Sequence, residues 1–109
     1  MREIKFRIWD INARKWLKSF NIDLLDIHKF NLAEVNQYTG LKDKNNKEIY
    51  EGDIVIHHSK MHKIIFNAEE ARFVLRDDEF ELEIPFTNNN NKRMEVVGNI
   101  YENSELLGE

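Results

Sequence analysis

About five short apolar segments separated by turn residues fill residues 53–100, and that rhythm constrains the fold more than any other feature. Asp53-Ile54-Val55-Ile56-His57 starts a strand, residues 63–66 form a short one, and residues 71–76 form the next, turning at Asp77-Asp78. Residues 79–84 alternate, which sends Phe80, Leu82 and Ile84 inward and Glu79, Glu81 and Glu83 outward. Pro85 has no N–H for a ladder and closes that strand. Residues 87–93, with four consecutive asparagines, read as a solvated loop. Residues 94–101 give a last strand, in which Gly98 marks a bulge or a close backbone approach. One helical turn over residues 103–107 then docks Leu106 and Leu107. Short strands at this spacing predict a small, strongly bent antiparallel barrel of the SH3-like type.

The preceding half reads differently. Ile4, Phe6 and Ile8 alternate with Lys5, Arg7 and Trp9, a period of two. Asp10 and Asn12 supply turn chemistry, and a return strand carries Trp16. A hairpin over residues 3–20 places Trp9 and Trp16 where they pair across it. Asp23 caps a short helix from Leu24 to Lys29. Residues 34–38 form a strand running into Thr39-Gly40. Residues 43–47 then have the composition of a tight hairpin loop, with Asn46 at a left-handed position. Ile49 and Tyr50 re-enter the core, and Glu51-Gly52-Asp53 turns the chain into the next strand. The fold class is thus mainly β, a β-rich α+β arrangement. An N-terminal hairpin layer with a short helix, residues 1–52, packs on a C-terminal barrel, residues 53–109, within one domain of 109 residues.

Composition narrows the function. Hydrophobic residues are 41% and charged residues 33%, an ordinary globular balance with a wet surface. No cysteine is present, which excludes a disulfide framework, a zinc ribbon and a thiol nucleophile and suits a reducing setting. No signal-like or membrane-length apolar run occurs, so neither export nor a membrane partner is expected. The formal net charge of −4, without a basic block, argues against nucleic acid as the main partner.

Candidate chemistry is sparse. His57, His58 and His62 have the spacing HH-x3-H, but adjacent strand residues point to opposite faces, so a shared metal is not expected. Asp43-x-Asn45-x-Lys47 departs from a calcium loop at its later positions, where Lys47, Glu48 and Ile54 stand. Glu51 and Asp53 read as turn residues, and the Asp77–Glu83 acids as the wet side of a strand. Arg14, Lys15, Lys18, Lys42, Lys44 and Lys47 beside the tryptophans outline an alternative, a nucleic-acid-binding module of barrel and basic hairpin loops. Phosphate loops, nucleophile elbows and zinc-helix motifs are missing. No catalytic, cofactor or metal residue is assigned, and the chain reads as a non-enzyme without cofactors.

Four stretches carry a family resemblance: Lys5-Phe6-Arg7-Ile8-Trp9-Asp10, Gln37-Tyr38-Thr39-Gly40-Leu41-Lys42-Asp43, Lys47-Glu48-Ile49-Tyr50-Glu51-Gly52-Asp53-Ile54-Val55, and Val97-Gly98-Asn99-Ile100-Tyr101-Glu102-Asn103 with Glu105-Leu106-Leu107. Together they make the chain similar to the YopX family of small phage and prophage proteins. Asn46 departs from the glycine usual in that pattern. The resemblance implies a mostly β fold with short helices, self-assembly into a homo-oligomer and a place in the cytoplasm of a bacterial host. The family's biochemical role is unassigned, so no site residues carry over. The expected activity is that of an accessory protein acting through protein contacts. Trp9, Trp16 and Tyr38 are the expected interaction surface.

Overall fold

The computed structural model describes residues 3–17 and 33–108. Nine strands follow in order: β1 Phe6–Asp10, β2 Lys15–Trp16, β3 Ala33–Lys42, β4 Glu48–Tyr50, β5 Asp53–His57, β6 Lys60–Asn67, β7 Arg72–Asp77, β8 Leu82–Pro85 and β9 Glu95–Asn99. They make two antiparallel sheets, one ordered β2-β1-β3-β4 and one ordered β8-β7-β6-β5-β9. Single 3-10 turns occur at Asn91–Arg93 and Ser104–Leu107. Among the described residues there is no α-helix. The helix expected from Leu24 to Lys29 lies outside them, and none that is described is long and apolar enough to cross a membrane.

The N-terminal hairpin forms with Trp9 opposite Trp16, ring centroids 5.0 Å apart and edge to face. Its alternation has two different faces. Ile8 is buried, but Ile4 and Phe6 are exposed, and Arg7 and Trp9 turn toward the rest of the chain. The β3–β4 loop is built on Asp43, whose Oδ1 accepts the N–H groups of Asn45 and Lys47. Asn46 takes the left-handed conformation, φ 65°, that its position requires.

Ile49, Val55, Ile64, Leu75, Phe86, Met94 and Val96 form the core, with Leu41, Phe73 and Ile84 against it. Ile49 and Leu41 come from the four-stranded sheet and the rest from the other half. The five-stranded sheet wraps this core as a half-barrel. The closed SH3-like barrel expected from the spacing is not what forms, because β8 and β9 end the sheet order and do not pair.

The reason lies in residues 79–84. Only Leu82–Pro85 pairs with β7. Asp77 Oδ1 accepts the N–H groups of Glu79 and Phe80, which holds residues 78–81 in a turn, and Glu81 is left-handed. Phe80 and Leu82, expected inside, are 59% and 56% exposed, and only Ile84 reaches the core. Pro85 ends the strand as expected.

The asparagine run is less solvated than its composition suggests. Asn91 is buried and donates from Nδ2 to the Lys42 carbonyl at 2.6 Å, tying the loop to β3. Gly98 sits where β9 bulges, since Ile54 pairs with Gly98 but Val55 with Val96. A Cβ there would lie 2.6 Å from Asn103 Oδ1, so a close approach demands the glycine.

Candidate functional site

Residues far apart in sequence meet in a cleft of about 340 Å³ where the first sheet abuts β9. Arg7 of β1 is its centre. Its guanidinium lies 4.2 Å from the Trp16 ring centroid and 4.8 Å from that of Tyr50, a cation between two aromatic rings. Nη2 meets Asp53 Oδ1 at 2.8 Å and donates to the Glu51 carbonyl at 3.2 Å. Asp53 also accepts the Tyr50 N–H at 2.8 Å. Burial pushes the Asp53 carboxyl up from its usual range, while Arg7 and the Tyr50 N–H oppose that shift.

Around this pair every carboxylate has a donor. Glu102 accepts from Trp16 Nε1 at 2.8 Å and Asn99 Nδ2 at 2.9 Å, and these bonds hold its carboxyl below the usual value. Glu48 pairs with Lys5. The donors are less complete. Arg7 Nε is buried without a partner, and Nη1 and the exposed Lys47 ammonium have none among the described residues.

Local sequence explains the assembly. Gly52 has φ 88°, and a Cβ there would lie 3.1 Å from Asn36 Oδ1 and 3.5 Å from the Tyr101 ring. The tight turn it permits carries Asp53 under Arg7. Tyr101 stacks on Trp9 at 5.5 Å, and its hydroxyl accepts from Asn36 Nδ2 at 3.0 Å, which fixes the C-terminal segment against the first sheet.

The expected aromatic surface is distributed otherwise. Trp9 and Tyr38 are each 4% exposed, because Trp9 lies between Trp16 and Tyr101 and Tyr38 packs on Tyr50. Trp16 is half-buried and lines the cleft. Only Trp16 of the three is therefore presented to a ligand.

The basic residues do not gather on one face. Arg14 donates to the Tyr101 carbonyl at 3.4 Å and Lys44 pairs with Glu95 at 3.4 Å. Lys15 and Lys42 are exposed, Lys47 lines the cleft, and Lys18 lies outside the described residues.

The histidines depart from the strand expectation. His58 and Ser59 form a two-residue turn with both φ values positive, 52° and 66°, so the His58 ring returns to within 4.1 Å of His57. His62 is 6.1 Å from His57. His57 and His62 are buried, and no group of three ligands fit for a metal exists among the described residues. Burial lowers both their pKa values, and for His57 the neighbouring histidines and Arg93 add to the effect. In the acidic row, Asp77 pairs with Lys60 and Asp78 with Lys63 and Arg76, leaving Glu79 and Glu81 in solvent.

The YopX protein family matches residues 12–108, nearly the whole chain. This chain belongs to the YopX family. Three of the four stretches that carried the resemblance meet in the cleft: Arg7 from the first, Lys47, Glu48, Tyr50 and Asp53 from the third, and Gly98, Asn99 and Glu102 from the last. The YopX chain is also similar to a solved structure, the crystal structure of protein EF1440 from Enterococcus faecalis. The two share 28% identity over 98% of this chain and 99% of that one, with a TM-score of 0.71. A comparison with curated proteins gave no match. Sequence reasoning missed Arg7 as the centre of the site. The available signal was Trp9 two residues on, which marks the same strand face as buried.

Proposed function

We propose that this YopX protein is a phage or prophage accessory module that acts non-enzymatically, through protein contacts that include contacts between its own copies. The observation that carries this reading is that the five-stranded sheet and its β7–β8 turn leave large apolar side chains in solvent. Phe80, Leu82 and Phe66 are 59%, 56% and 45% exposed. Leu82 lies on an edge strand that has no neighbour on its outer side among the described residues, the position from which sheets associate. The cleft supports recognition over reaction, since its carboxylates are committed to fixed donors.

Light scattering with sedimentation tests the proposal. The wild-type protein is expected to form a defined oligomer, and Leu82→Lys, a change at an exposed position, to shift it toward monomer. A strict monomer at high concentration overturns the self-assembly reading. Retention of the oligomer in Leu82→Lys moves the contact away from β8.

A further inference from the structure

We propose that the cleft around Arg7 is a receptor for a carboxylate carried by another protein, either an acidic side chain or a chain terminus. The argument rests on which hydrogen-bonding groups remain unfilled. Each carboxylate lining the cleft already has a donor: Asp53 has Arg7 and the Tyr50 N–H, Glu102 has Trp16 and Asn99, and Glu48 has Lys5. Among the described residues the cations of the cleft keep unfilled N–H donors, namely Arg7 Nε and Nη1 and the Lys47 ammonium, while of the carboxylate oxygens only Glu102 Oε2 has no donor. A buried donor without an acceptor costs free energy until one arrives.

The shape of the donor set selects among acceptors. A guanidinium presents its donors in a planar fork that matches the two oxygens of a carboxylate. Trp16 and Tyr50 hold that fork between them, so little side-chain freedom is lost on binding. Asp53 and the Glu51 carbonyl occupy Nη2, which leaves Nη1 to meet one carboxylate oxygen while the Lys47 ammonium meets the other. A volume of about 340 Å³ suits a side chain or a terminal residue and is at the small end of ligand sites. The inference rests on the protein-contact reading only for the source of the carboxylate.

The test is an NMR titration that follows the Arg7 Nε–H and the Trp16 indole N–H. The probes are an N-acetylated, C-amidated triglutamate, an N-acetylated trialanine with a free terminus, inorganic phosphate, and an N-acetylated, C-amidated triglutamine as the uncharged control. At least one carboxylate probe is expected to shift both signals saturably at millimolar concentration. The responding probe identifies whether side chain or terminus is taken. Lys47→Glu, at an exposed position, is expected to weaken that binding about 10- to 100-fold, the loss of one charge-assisted bond. The proposal is overturned if neither carboxylate saturates, if phosphate or the uncharged control binds as well, or if Lys47→Glu leaves affinity unchanged. A monomeric protein that binds the carboxylate would sink self-assembly alone, and an oligomer that ignores every probe would sink the receptor alone.

Discussion

Arg7 shows how one residue ties stability to the site. It compensates the buried Asp53 carboxylate, whose side chain is 4% exposed. Arg7→Ala leaves that charge unpaired, and equilibrium denaturation is expected to show a loss of about 3–5 kcal/mol. Arg7→Lys keeps the charge but loses the planar stack and falls between the two. His57 and His62 give a pH dependence of definite sign. Both are buried, with folded-state pKa values below the unfolded value near 6.5. Below that value the unfolded chain binds more protons than the folded one, so stability is complete above it and declines as the pH falls. Melting temperatures measured from about pH 7.5 to 5 are expected to fall, and less steeply in His57→Gln.

Between elements, side chains close what backbone pairing leaves open. The outer edge of β9 is covered by polar caps: Asp43 Oδ2 accepts the Val96 N–H at 2.9 Å and Asn103 Oδ1 accepts the Asn99 N–H at 3.1 Å. Gly98→Ala displaces Asn103, so that variant is expected to lose about 1–3 kcal/mol and to expose the Asn99 amide to faster hydrogen exchange. The elements themselves were largely legible. Alternation and turn residues located β1, β5, β7 and the bulged β9, because period two and turn chemistry are local properties. Residues 79–84 misled because alternation records which side a residue faces, not whether anything covers that side. Phe80 lies in the turn before β8 and Leu82 at its first position, both beyond the core. The cleft was illegible for a related reason. Arg7, Trp16, Tyr50 and Glu102 become neighbours only through the tertiary fold, and the histidine turn needed two successive left-handed residues that neither His nor Ser advertises.

At the scale of the whole molecule the two sheets share one core. Ile49 is fully buried among residues of the five-stranded sheet although its strand belongs to the other. Ile49→Ala is expected to cost about 2–5 kcal/mol. The tryptophans Trp9 and Trp16 report on the four-stranded sheet, and far-UV circular dichroism reports on all strands. Their denaturation curves are expected to coincide, since neither sheet keeps a core without the other. Separate midpoints would show two independent units instead.

The Asp43–Val96 bond spans 53 residues and joins the first sheet's loop to the last strand. Met94 and Val96 complete a core whose other members are made earlier. A chain growing from the ribosome therefore holds β5 with one flank bare and Asp43 Oδ2 without Val96 until β9 emerges. Folding of this region to the native state therefore waits for β9, and a product cut short before it is a substrate for quality control.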